Sequence, residues 1–251
     1  MRVLVVSPHY DDAPLSLGQS LLDGELSHHS VTVGIVFGRS NYTRYFSPTR
    51  RRWPLATGIR WAEELRNSRR FHYRLRVGRL EEVMLRTGQG DSSMFLSAGF
   101  DPGTSDVLPS VIDLLRRWSV RYDQVIVPMG VGDHLDHRLV AEAGARVAAE
   151  DGANISFYED RPYASWIDDD EIAKLVRRVD TACDGHRGMQ RRAVSGPATD
   201  EKQTTIWYPS QFHPIFLEGI RSDIDGARRE HVWVAPTAEW PPAADRPPAV
   251  S

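Results

Sequence analysis

His9, Asp11 and Asp12 follow directly on the apolar run at residues 3–6, in the stretch SPHYDDAPLSLG. Asp133, His134, Asp136 and His137 follow a second apolar run, residues 125–127, in VPMGVGDHLDH. Adjacent carboxylates repel each other, and a bound cation is the simplest compensation at the tip of a buried strand. Imidazoles and carboxylates are also ligand types of catalytic zinc, which takes three protein ligands and leaves a position open for water. Each segment alone has a plainer reading: a solvated turn for the first, an exposed helix start for the second. Both stand at predicted strand ends, so a sheet that sets the two strands close together brings them into one metal site.

The elements that must carry these residues alternate. Strands are predicted at 3–6, 31–37, 124–127 and 155–158, the continuous apolar run at 3–6 covered on both faces. Between them, 14–26, 59–71, 106–118 and 137–150 have helical spacing, with proline suited to the first turn of the earliest. Further helices are expected at 168–183 and 200–208, and a last strand at 230–234. The alternation predicts an α/β fold: a Rossmann-like, three-layer, mostly parallel, doubly wound sheet with its site at the C-terminal ends of the strands. One domain over 1–235 is expected, with a substrate-side loop at 38–58. The Pro/Ala-rich residues 236–251 are expected to form a flexible tail.

The 251 residues carry a formal charge of -3, unevenly distributed. Residues 39–79 hold twelve arginines against Glu63 and Glu64, a charge of +10, which leaves -13 for the remainder. Such clustering suits an anionic partner or an interface with the acidic remainder. The single cysteine, Cys183, excludes an internal disulfide and fits a reducing cytoplasm. No apolar run is long enough to span a bilayer, and no secretory signal is evident, so a cytoplasmic protein without a membrane partner is expected.

SPHYDDAPLSLG resembles the Pro-His-x-Asp-Asp opening of the PIG-L/LmbE family of zinc-dependent N-deacetylases, and PMGVGDHLDHRLV resembles that family's His-x-Asp-His segment. FYEDRPYA (157–164), EKQTTIWYPSQ (201–211) and IRWAEE (59–64) agree in the expected order. The resemblance implies Zn2+ held by His9, Asp12 and His137, with Asp11 as general base. It places His134 against the substrate carbonyl, and Asp136 behind His134 to orient it and keep it protonated. The implied chemistry is amide hydrolysis: zinc lowers the pKa of bound water from 15.7 to about 7, and Asp11 carries the proton to the departing amine. There are departures. Ala13 replaces a glutamate common in relatives, and Gly132 stands where some carry a tyrosine, leaving Tyr158 and Tyr163 as candidates to assist the oxyanion.

The substrate class implied by the resemblance is a soluble small molecule with an N-acetyl amino sugar: an antibiotic or other secondary-metabolite intermediate, or a thiol precursor. Arg60, Tyr163 and His213 are candidate substrate contacts, although Arg60 could equally pair with Glu64 one helical turn on. Phe46 and Trp53 could stack on a sugar, or the loop could be solvated or form an oligomer contact. The alternatives are an amidase that releases a longer acyl group or cleaves a thiol conjugate, and a non-catalytic anion-binding protein. No nucleic-acid partner is expected, and a homo-oligomer is left open. His28, His29, His72, His186 and His231 read as ordinary residues, and Asp168 to Glu171 as an acidic helix start.

Overall fold

A computed structural model describes residues 1–90, 95–97, 99–183, 188–212, 214–235 and 240. The chain runs β1 (Arg2–Ser7), α1 (Asp12–Leu22), β2 (Ser30–Ile35), α2 (Trp53–Arg70), β3 (Arg74–Val77), α3 (Val83–Thr87), α4 (Leu108–Ser119) and β4 (Gln124–Pro128). It continues through α5 (Leu135–Asp151), β5 (Ile155–Tyr158), α6 (Asp169–Ala182), β6 (Gln190–Pro197), α7 (Asp200–Thr205), α8 (Pro214–Asp225) and β7 (Arg229–Val234). The seven strands form one sheet in the order β3-β2-β1-β4-β5-β7-β6. The first five are mutually parallel; β7 runs antiparallel to both β5 and β6.

The continuous apolar run of β1 has a physical reason: the strand lies between β2 and β4 and is covered on both faces. Leu4 and Val6 enter a core shared with α4, α5 and α6, while Val3 and Val5 enter a second core with α1. Alternate residues of one strand thus serve two cores, and helices flank both faces of the sheet. Among the described residues no helix is long and apolar enough to cross a membrane. Cys183 is buried.

Several boundaries differ from expectation. Helix α2 starts at Trp53, not 59, with Pro54 in its first turn, so the preceding loop is shorter than 38–58. β3, α3, β6 and α8 were not anticipated. Of the segment 236–251 only Trp240 is described: its indole donates to Glu25, and Arg192 lies over its ring at 5.7 Å. His186 lies outside the described residues.

Helix α1 carries a kink at Leu17, where the backbone leaves helical angles. The Glu230 carboxylate accepts the amide protons of Gln19 at 2.9 Å and Ser20 at 2.7 Å, capping the second half of the helix from β7. Lys202, fully buried, donates to the same carboxylate at 2.7 Å and to the Leu15 carbonyl at 2.7 Å. Removing one partner of a buried pair strands the other charge. Glu230→Ala is therefore expected to destabilise the fold by about 3–5 kcal/mol, read as a fall in Tm of roughly ten degrees. An unchanged melting curve would contradict the pairing.

Candidate active site

The HYDD segment is shaped by its own short contacts. The Ser7 hydroxyl donates to the His9 carbonyl at 2.6 Å and accepts the Ala13 amide at 3.1 Å, folding the chain tightly from β1 into α1. Tyr10 is buried and donates to the Gly38 carbonyl at 2.7 Å, anchoring the turn while His9, Asp11 and Asp12 line a cavity. Asp12 opens α1, and its Oδ2 accepts the His9 amide at 2.7 Å. After β4 the backbone turns sharply: Gly130, Gly132 and Asp133 all have positive φ. A side chain at Gly132 would meet the Tyr163 ring at 2.4 Å, so glycine is required there for space as well as conformation. His134 caps α5, its Nδ1 accepting the Asp136 amide at 3.2 Å.

These two turns meet. Nitrogens of His9, His134 and His137 all lie within 4.8 Å of one another. The Asp12 carboxylate bridges two of the rings, Oδ2 at 3.3 Å from His9 Nδ1 and Oδ1 at 3.3 Å from His137 Nε2. The opposite nitrogen of each ring also faces a buried carboxylate. Asp136 Oδ2 lies 3.0 Å from His9 Nε2, and Asp160 Oδ1 lies 2.7 Å from His137 Nδ1. Asp160, two residues beyond β5, is itself held by the amides of Gly130 at 2.8 Å and Val131 at 3.0 Å. Asp136 is held by the Val83 amide at 2.9 Å and by Arg86 at 2.5 Å.

The placement of Asp136 corrects one expectation. Its carboxylate orients His9 rather than the ring of His134, which receives only the backbone N–H. Burial, then the positive charges of His9 and His137, push His134 well below the ordinary imidazole range, so the expected imidazolium is replaced by a neutral ring. With Nδ1 accepting from a backbone amide, the ring proton sits on Nε2, and a neutral His134 is still a donor.

The electrostatics test whether a cation fits. Burial lowers the pKa of His9, but hydrogen bonds to Asp12 and Asp136 outweigh it and raise it to about 9. Burial lowers His137 likewise, and Asp12 and Asp160 raise it well above the imidazole range. Burial pushes Asp12 up, while His137 and His9 hold it well below the carboxylate range. Each imidazole between two carboxylates thus retains both protons in the protein alone. A divalent ion at the convergence of His9 Nδ1, His137 Nε2 and the Asp12 carboxylate would replace the two inner protons, and that nitrogen and oxygen donor set suits zinc. The outer carboxylates would hold each ring in its ligating orientation. The residues present fit the ion; the third imidazole, His134, lies close enough to join them.

Asp11 sits beside this cluster. Burial first, and then the Asp12 charge, push its carboxyl up to about 6. Arg60 Nη2 stands 3.7 Å from Asp11 Oδ1, and the same guanidinium donates to Glu82 at 2.8 Å, Ser40 at 2.7 Å and Gln211 at 2.7 Å. Arg60 is 4% exposed, so its donors are largely taken up by the protein. Its alternative pairing with Glu64 is not made: Glu64 accepts from the hydroxyls of Tyr73 at 2.7 Å and Tyr208 at 2.5 Å. Tyr163 lines the cavity with its ring edge-on to His137, centroids 6.0 Å apart. Tyr158 lies in the core on the α1 side of the sheet and does not line it. His213 lies outside the described residues. Arg52 covers Phe46 and Arg39 covers Trp53, so these two aromatics pair with neighbouring cations; only Tyr42 of that loop lines the cavity.

The cavity measures about 440 Å³. Asp160, Glu82 and Arg86 were not singled out from the sequence. For Asp160 a signal existed: it follows the strand 155–158 as His9 follows 3–6.

Imidazoles and carboxylates at strand ends, with an acid beside them and a cavity in front, can hold a divalent ion and serve base-assisted hydrolysis. No protein-family model matches the sequence. The chain is 30% identical over 257 residues to the 2'-N-acetylparomamine deacetylase of Streptomyces fradiae, covering 98% of this chain and 85% of that protein. It belongs to the family of that deacetylase, enzymes that hydrolyse N-acetyl amides. Solved structures share the fold at lower identity. A deacetylase of teicoplanin biosynthesis superposes with TM-score 0.60 at 18% identity, over 93% of this chain and 97% of the other. The A40926 pseudoaglycone deacetylase Dbv21 superposes with TM-score 0.57 at 19% identity, over 93% and 96%.

Proposed function

We propose that the chain is a zinc-dependent N-deacetylase of the PIG-L/LmbE type, removing an acetyl group from an amino-sugar-containing intermediate of antibiotic or related secondary metabolism. The observation that carries this reading is the pair of imidazoles, each clamped between two carboxylates, with Asp11 free of the ligand set beside them. The name of the 30% identical relative supports the substrate class. The fold is doubly wound on this reading, with the site where the strand order reverses between β1 and β4, beyond their C-terminal ends.

A bound zinc ion would supply a Lewis acid that makes water nucleophilic near neutral pH and polarises the acetamide carbonyl. The chain supplies the rest. Asp11, ionised above about pH 6, accepts the proton of the attacking water on its carboxylate and delivers it to the leaving nitrogen. His134 donates from Nε2 to the oxygen on which charge develops. Asp136 and Asp160 fix the rings of His9 and His137, and Arg60, buttressed by Glu82 and Gln211, holds Asp11 in place. The apolar cavity walls limit water around the reacting carbonyl.

His134→Ala is expected to lower kcat roughly a hundredfold or more, with zinc content unchanged. Loss of zinc in that variant would move His134 into the ligand set. The function itself is tested by acetate release from 2'-N-acetylparomamine and from simple N-acetylglucosaminides, with protein carrying one equivalent of zinc. Release of acetate is expected; hydrolysis of longer acyl amides without acetate release would replace the deacetylase reading with the amidase one.

A further inference from the structure

Resting on the deacetylase reading, we propose that the substrate is an N-acetylamino sugar carrying an apolar alkyl or aryl aglycone, seated between two hydrophobic walls at the mouth of the active-site cavity. One wall is Met84, Phe95 and Leu96; the other is Trp166, Ile215 and Phe216. Leu96 is 49% exposed, Trp166 45% and Ile215 47%, although each is a large apolar side chain. Three such residues around one opening form the kind of patch that marks a binding surface.

The walls are built rather than incidental. Leu96 pairs with His134 in an antiparallel bridge, and the next residue, Ser97, donates its amide to the Asp133 carbonyl at 3.0 Å. Met84 and Phe95 pack with Val83, Tyr42 and Leu135. On the other side an aromatic ladder leads outward from the imidazole cluster: His137 to Tyr163 at 6.0 Å, and Tyr163 to Trp166 at 6.4 Å. Helix α8 comes close enough to complete this wall because Gly219 has no side chain; a Cβ there would meet Pro162 at 2.4 Å and Trp166 at 3.0 Å. An apolar group held between these walls sits directly outside the carbonyl-binding point.

Charge argues in the same direction. Among the described residues the carboxylates lining the cavity are Asp11, Asp12 and Glu82, all buried and engaged with Arg60 or the imidazoles. A polyamine aglycone would bring ammonium groups to walls whose described residues offer no carboxylate, at a desolvation cost. An alkyl or aryl group gains from the same surface, roughly fourfold in affinity for each methylene buried.

The test compares octyl and methyl 2-acetamido-2-deoxy-glucosides with 2'-N-acetylparomamine, measured as kcat/KM for acetate release by the zinc-loaded protein. The octyl glycoside is expected to exceed the methyl glycoside at least about tenfold, as burial of two or more methylenes requires. Trp166→Ala and Leu96→Ala, on opposite walls, should each cut that ratio severalfold. A ratio near one, or a clear preference for the paromamine derivative, overturns the proposal while leaving the deacetylase reading intact. Binding of octyl glucosaminide, the product, is measured alongside by calorimetry. Absent turnover with tight, Trp166-dependent octyl binding would sink the deacetylase reading alone; absent turnover and absent octyl binding would sink both.

Discussion

On the proposed reading, Asp11→Asn is expected to keep bound zinc and to lose roughly two to four orders of magnitude in kcat. Asparagine has nearly the shape of aspartate and preserves packing beside Arg60, but its amide cannot accept the proton of the attacking water. Metal retention is expected because Asp11 is not among the groups that bridge the imidazoles; Asp12 is. The same assignment fixes a pH dependence. The base works only when ionised, and burial together with Asp12 raises the Asp11 carboxyl from the usual carboxylate range to about 6 in the protein alone. Activity should therefore fall as pH drops through about 6, tenfold per unit on the acid side, and a neighbouring divalent ion moves that limb lower. Asp11→Asn should lose the limb as well as the rate. Elemental analysis and a pH profile check both, and undiminished turnover would remove Asp11 as the base.

His137→Ala and Asp160→Asn should separate a ligand from the group that aims it. The alanine variant loses Nε2, one of the convergent donors, and is expected to purify without stoichiometric zinc and without activity. Asparagine at 160 can still accept from His137 Nδ1 through its amide oxygen, but without negative charge. It should keep the fold and weaken zinc by about 10–100-fold, read by competition with a chelator of known affinity. Equal zinc affinity in Asp160→Asn and the unchanged protein would show that the 2.7 Å contact does not tune the site. Zinc retained in full by His137→Ala would contradict the ligand assignment.

The parts of this molecule that were legible in the sequence are those where a local pattern reports a global position. β1, β4 and β5 are largely apolar because neighbouring strands on both sides and two helical layers cover them. β3, with the sequence RLRV, lies at the sheet edge with its residues half-buried or exposed, so it carries no apolar run. β6, QRRAVSGP, lies at the opposite edge and is hidden for the same reason. The start of α2 was missed despite Pro54, because arginines and aromatics without a period surround it. In the site, His9, Asp12 and His137 stood out because they follow predicted strands, and their side chains do meet. Asp136 was paired with the wrong histidine: positions i and i+2 at a helix start point to different sides, so its carboxylate reaches across to His9 instead. Glu82 and Arg86 act through partners more than twenty residues away in sequence, and no spacing in the chain announces such contacts.

The most direct test of the metal-centred account is a zinc titration of chelator-treated protein, followed by acetate release from an N-acetylglucosaminide. Turnover should be negligible without zinc and rise in proportion to the metal until one equivalent is bound. Full acetate release in the presence of excess chelator, or one bound zinc without any turnover on acetamido sugars, would contradict it.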